Sequence, residues 1–198
     1  MKSVTNNLLY RSNIEGMRDL RPNILSNINF DTYNINDLIN ICNTDTFTYN
    51  QCSSVEFWKA VYKKENLIFP KFLFKTPIEW IIDYKKEKKI QFNINEKLSI
   101  LNIEDNDYFN SFRVNSTQID LRTVLSDILN DGYIETLWSK WLLGYEMINM
   151  VLYPNEIPEY GLLIGNTDYT LSFDEIYLIL YRLLSANIKL KLKRVIKD

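Results

Sequence analysis

The chain of 198 residues contains no histidine. That removes the commonest general acid-base group, the commonest metal ligand and every Ser-His or Cys-His nucleophile arrangement. It has two cysteines, Cys42 and Cys52, where an all-thiolate zinc site needs about four. It has only five glycines; Gly161 and Gly165 do not complete a GxGxxG pattern, and no GxxxxGK[ST] occurs, so the familiar phosphate cradles are missing. The longest strongly apolar run, Ile176 to Tyr181, is stopped by Arg182, far short of the ~20 residues that cross a bilayer. The opening Met1-Lys2-Ser3-Val4-Thr5-Asn6-Asn7 has no apolar stretch of signal-peptide length, and Lys2 stands where a myristoylation signal needs glycine. These absences lead to the expectation of a non-enzymatic protein with no metal and no cofactor, located in the cytoplasm.

What is present is ordinary for a folded chain: 46% hydrophobic and 24% charged residues, enough for a core. Aromatics reach 14%, and the abundance of Asn, Ile, Lys and Tyr points to an AT-rich genome. A net charge of -2 supplies no concentrated basic field, so neither nucleic acid nor a membrane is expected as a partner. Cys42 and Cys52 read first as two small buried apolar side chains of a reducing compartment, with a disulfide or a redox role as the alternative. With no secretion expected, the Asn115-Ser116-Thr117 sequon reads as a chance tripeptide.

Along the chain, residues 1–19 read as a polar leader. Pro22 suits a first helical turn, and Leu25 and Ile28 share a face. Ile35, Leu38, Ile41 and Cys42 repeat as a buried stripe on a short helix capped by Asn34 or Asn36. A further short helix covers Thr44 to Cys52, with Phe47 inward. Ser53-Ser54-Val55-Glu56 forms a capping box before Phe57, Trp58, Val61 and Tyr62. Leu67 to Phe74 reads as a connector packed between two halves. Thr76-Pro77-Ile78-Glu79 is a second box, opening a helix to about Lys88 that buries Ile78, Ile81 and Ile82.

Beyond it, Ile90, Phe92 and Ile94 alternate with polar residues as in a strand, and Leu98 and Ile100 suggest another. Ile119 to Leu129 reads as a helix capped by Thr117 or Ser116 and ended by Asp131-Gly132. A second helix is expected from about Ile134 to Leu152, rich in Trp138, Trp141, Met147 and Met150. Leu162 to Leu171 reads as a hairpin about Gly165-Asn166. Ser172-Phe173-Asp174-Glu175 is a third capping box. Ile188 to Lys193 alternates strictly, as a half-buried edge strand or a frayed amphipathic helix. The expected class is mainly α (α+β): a short-helix module over 20–75, then a helical domain over 76–198 with a small β-hairpin or sheet.

The stretch from Leu20 to Glu65 resembles an F-box. The residues that carry the likeness are Leu20 and Pro22, then Ile24, Leu25 and Ile28. Next come Asp37-Leu38-Ile39-Asn40-Ile41-Cys42, Phe47, and the closing Phe57-Trp58-Lys59-Ala60-Val61-Tyr62. Arg21 is an insertion against the family pattern, Asn23 replaces an acidic residue, and Thr46-Phe47-Thr48-Tyr49 replaces the usual Arg-Trp centre. The resemblance implies an adapter that docks on a Skp-family linker protein and holds an unknown protein target near a cullin ubiquitin ligase. It does no chemistry of its own; its effect is raised local concentration. Pro22, Ile24, Leu25, Ile28, Leu38 and Ile41 are the candidate partner-binding residues, and Phe57 and Trp58 the candidate core of the module. Short repeat-free chains of this kind are similar in style to those of large DNA viruses, which would place the protein in host cytoplasm.

Three rival signals are weaker. The acidic run Glu104-Asp105-Asn106-Asp107 lacks the glycine of a calcium loop and reads as solvated. The basic tail from Lys189 reads as a solvated strand face rather than a phosphate site. The Trp138, Trp141, Tyr145 and Met147 cluster reads as core or as a partner-facing patch. The alternative function is a structural or assembly protein that oligomerises through this aromatic C-terminal half.

Overall fold

The computed structural model describes residues 25, 28–103, 105, 107–126, 128–129, 147–155 and 159–196. The chain divides into two compact units, residues 1–87 and 88–198.

In the first unit a 3-10 turn at Phe30–Thr32 precedes three short helices: α1 (Ile35–Cys42), α2 (Thr46–Cys52) and α3 (Val55–Lys64). Each start is fixed by a polar side chain that accepts from an otherwise unpartnered N–H. Asn34 accepts from Asp37, Asp45 from Thr48, and Ser54 from Phe57. The cap of α3 is therefore Ser54, one residue later than the S-x-x-E pattern suggests. Helix α3 ends at Asn66, which takes φ 54 while Leu67 N–H donates to the Tyr62 carbonyl at 2.9 Å. Asparagine here does the work that glycine does in other chains, in keeping with the small number of glycines.

Helices of 7–10 residues are not stable alone. What holds them is an aromatic core: Phe30, Trp58, Tyr62, Trp80 and Tyr84 are buried, with Leu25, Leu38, Ile81 and both cysteines. Trp58 and Trp80 stack at 5.9 Å and 9°. Three of the polar edges find partners within the unit: Trp58 Nε1 donates to the Cys52 carbonyl at 2.7 Å, Tyr62 to Asp83 at 2.8 Å, and Tyr84 to Asp31 at 3.1 Å, whereas Trp80 Nε1 is buried without one. Burial, with the Asp31 charge behind it, raises the Tyr84 phenol well above its ordinary pKa.

Cys42 and Cys52 are fully buried, as the sequence suggests, but they are joined in a disulfide that ties the last residue of α1 to the last of α2. Their Cα atoms are 5.8 Å apart, within the range a disulfide spans. The reading of two free thiols is corrected on this point.

Helix α4 (Pro77–Leu101) begins in the first unit and ends in the second. Glu79 closes its capping box, accepting from Thr76 N–H at 3.0 Å while Glu79 N–H donates to Thr76 Oγ1 at 3.4 Å. The face it buries is Trp80, Ile81 and Tyr84; Ile78 and Ile82 are 45% and 52% exposed, contrary to the expected stripe.

The second unit corrects the expected fold class. It is not a helical domain with a small hairpin but a five-stranded antiparallel sheet in the order β4-β3-β2-β1-β5. The strands are β1 (Tyr108–Thr117), β2 (Met147–Pro154), β3 (Tyr160–Ile164), β4 (Thr167–Leu171) and β5 (Leu190–Ile196). Helices α5 (Gln118–Leu125) and α6 (Phe173–Ser185) belong to the same unit.

Two regions account for the misreading. The alternation at Ile90, Phe92 and Ile94 is helical: Ile90, Ile94, Leu98 and Leu101 are buried one turn apart, and Phe92 is 70% exposed. A spacing of four satisfies both periods, and only the length of α4 decides between them. Residues 147–152 are strand, because Ile148, Met150 and Leu152 turn to the core while Met147 and Asn149 face out. The expected helix over 134–146, like its tryptophans and the Asp131-Gly132 stop, lies outside the described residues. Ser116 and Thr117 are the last two residues of β1, and Thr117 directly precedes α5.

The hairpin about Gly165-Asn166 forms as expected, with Gly165 at φ 60. Ser172 and Glu175 make the full capping box of α6. One face of the sheet buries Phe112, Val114, Ile148, Met150, Leu152, Leu162 and Ile164 in a cluster with Ile176, Ile179, Leu180 and Leu183 of α6 and Leu121 and Leu125 of α5. The other face carries Arg113, Asn115, Asn149, Tyr153 and Leu163. No described helix is long and apolar enough to cross a membrane.

Candidate functional site

In the first unit the predicted docking residues fall into three groups. Pro22 and Ile24 lie outside the described residues. Leu25 and Leu38 are core, at 4% and 0% exposure. Ile28 and Ile41 are half-buried and pack against that core. Phe57 is half-buried and Trp58 fully buried, as core residues of the module.

Two features remain on the surface of this unit. The first is a shallow groove of ≈ 100 Å³ walled by Leu25, Ile28, Phe30, Phe57 and Val61, with Lys64 and Glu65 at its rim. The second is the pair of flanks of α1 on either side of its buried stripe, Ile35 and Ile39 on one and Ile41 on the other. This helix carries five apolar residues among its eight, yet only Leu38 and Cys42 are buried. Ile35 is 40% exposed, Ile39 and Ile41 are half-buried, and Tyr33 just ahead is 39% exposed. The reading of Ile35 as part of the buried stripe missed this. An amphipathic count cannot tell a helix with one apolar face from one whose stripe is wider than its own core.

The connector 66–76 is also divided. Leu67, Phe69 and Phe74 pack on the aromatic core, whereas Phe72 and Leu73 are 83% and 59% exposed. A large exposed phenylalanine beside a buried one could not have been sorted from composition.

In the second unit, a broad hollow of ≈ 380 Å³ lies on the outward face of the sheet, against Arg113, Met147, Asn149, Val151 and Leu163. Nearby, the Tyr153 ring lies flat over Gly161, where a Cβ would come within 2.1 Å of it. Its hydroxyl donates to Asp168. Burial, the hydrogen bond and the Asp168 charge together push the Tyr153 pKa up to about 12. Within the acidic run, Asp107 N–H donates to Asp105 Oδ1 at 3.1 Å, a turn that leads into β1. Glu104 is outside the described residues, and among those described no group of three or more potential metal ligands converges.

No family model, no curated protein and no solved structure matches the chain.

Proposed function

We propose that the protein is a protein-protein adapter whose first unit docks, in the manner of an F-box, on a Skp-family linker. It thereby brings a protein target to a cullin ubiquitin ligase in the cytoplasm. The observation that carries this reading is the surplus of apolar surface on α1. Five apolar side chains share eight residues, and the module's own core covers only two of them fully. A partner that covers Tyr33, Ile35 and the open side of Ile39 removes that surface from water at ~25 cal/mol per Å². The order of short helices closed by Trp58 supports the same reading.

The disulfide stands against a reducing location, where such bonds are rare. Both sulfurs are fully buried, which shelters the bond from thiol reagents. Counting free thiols in freshly lysed cells decides whether the bond exists where the protein works.

The docking test uses exposed positions. Leu25→Asp or Leu38→Asp would bury a charge and report on folding alone. Ile35→Asp leaves the core intact. Purified linker captured on the wild-type chain should bind at least about tenfold more weakly to Ile35→Asp. A folded wild type that captures no linker, and that runs as a large self-associated species in light scattering, would replace the adapter with an assembly protein.

A further inference from the structure

We infer that the outer edge of β5 is a docking site for an extended acidic peptide, added to the sheet as a sixth strand. This names the target class for the adapter reading and takes its biological purpose from it.

β5 closes one side of the sheet and pairs only with β1 among the described residues. Unlike the inner strands, it is exposed along most of its length. An edge of this kind offers unpaired backbone N–H and C=O groups to another chain. Its two faces differ in chemistry. On the outward face stand Lys191 and Lys193, with Arg113 directly across from Lys191 on the neighbouring strand. On the core side stand Leu192 and Ile196, 54% and 65% exposed, with Arg194 between them across from Asn110. They continue the apolar layer past its last covered residue, since Leu192 sits beside the buried Phe112.

The charge is local. Lys189, Lys191, Lys193 and Arg194 occur within six residues of a chain whose net charge is -2, with no acidic residue among them. Among the described residues no carboxylate is paired with any of the four. A strand that fits must therefore place carboxylates opposite Lys191 and Lys193 and apolar side chains opposite Leu192 and Ile196. That is an alternation of acidic and apolar residues, the natural pattern of one extended peptide.

A second copy of the chain does not satisfy this edge. Antiparallel pairing of β5 with itself keeps like faces together, so its two-fold must pass through a residue. Centred on Leu192 it sets Lys191 against Lys193; centred on Lys193 or Arg194 it sets that cation against itself. Every register that overlaps most of the strand therefore opposes like charges, the device by which edge strands avoid self-pairing.

The test uses the full-length chain and a fluorescent octapeptide alternating valine with glutamate, followed by anisotropy. Wild type should bind it, with affinity falling as salt rises. Lys191→Glu with Lys193→Glu, both on exposed side chains, should weaken binding by about tenfold or more and should accept the valine-lysine peptide instead. N-methylation of alternate peptide amides should abolish binding, because strand addition needs those N–H groups. Undiminished binding by the charge-reversed chain or by the N-methylated peptide would overturn the inference. So would an oligothymidylate that displaces the peptide and binds more tightly. No linker is present in this assay, so loss of linker capture with peptide binding intact removes the adapter reading alone. The reverse result removes the β5 site alone.

Discussion

The two units solve the same problem with different materials. Among the described residues, five of the ten buried core residues of the first are aromatic, and two of the twenty of the second. Three helices of 7–10 residues offer few inward positions, so each must carry much area; Trp58 and Tyr62 of α3 supply it, packed against Trp80 and Tyr84 of α4. A sheet backed by α6 offers many inward positions, and Ile, Leu, Val and Met fill most of those described, with Phe112 and Tyr160 the aromatic ones. The aromatic solution has a consequence. A core resting on a few rings is sensitive to the loss of any one, whereas an aliphatic layer spreads the same risk over many side chains.

The sharpest way to break that contrast is Trp58→Ala. Trp58 stacks on Trp80 and meets Phe30, Phe57, Tyr62 and Tyr84. Its truncation should cost about 4 kcal/mol, at the upper end for a core ring. Hydrogen exchange should then speed up throughout α1 to α3, while the amides of β2 and β3 keep their protection. Uniform loss of protection in both units would show that the aromatic core is not a separate element of stability.

Next in size is the disulfide. The Cys42–Cys52 bond closes a loop of only ten residues, so its removal by Cys42→Ala with Cys52→Ala should cost about 2–3 kcal/mol. Denaturant midpoints with and without a strong reductant check this. The wild type in reductant should approach the double variant, and the double variant should not respond. No comparable crosslink exists among the described residues of the second unit, so the reductant effect should be confined to probes in the first.

Legibility from sequence follows the same division. Local signals were readable wherever one residue does one local job. Asn34 capping α1, the boxes at Thr76 and Ser172, and the Gly165-Asn166 turn all stand where their chemistry puts them. What could not be read was any choice made by distant contacts. Ile90 and Ile94 fit both a strand and a helix, and only the burial of Leu98 and Leu101 beside them selects α4. Met147 to Leu152 fits an apolar helix until β1 and β3 claim it from both sides. Depth of burial at Leu25 and Leu38 was no more legible. Leu25 and Leu38 were chosen as greasy, but whether a greasy residue faces in or out is decided by Trp58 and Tyr84, not by its neighbours in sequence. Asn66 and Asn187, both at positive φ, were legible in principle, because a glycine-poor chain must end its helices with some other residue.

The smallest expected effect lies where the units share a helix. Glu79 starts α4 and is fully exposed, with its pKa lowered chiefly by the Thr76 hydroxyl, then by the Lys75 and Thr76 backbone N–H groups. A carboxyl lowered on folding binds its proton more weakly in the folded chain than in the unfolded one. The stability it contributes is therefore present above the unfolded pKa, near 4.5, and is lost as pH falls through the lower folded value. Melting temperature should thus decline on acidification through this window, and Glu79→Gln should flatten part of that decline by slightly lowering the melting temperature at neutral pH while leaving the acid value unchanged. Thr76→Val should act in the same direction by removing the largest cause of the shift. If neither variant alters the acid limb, the capping box contributes nothing measurable, and α4 owes its start to the burial of Trp80 and Ile81 alone.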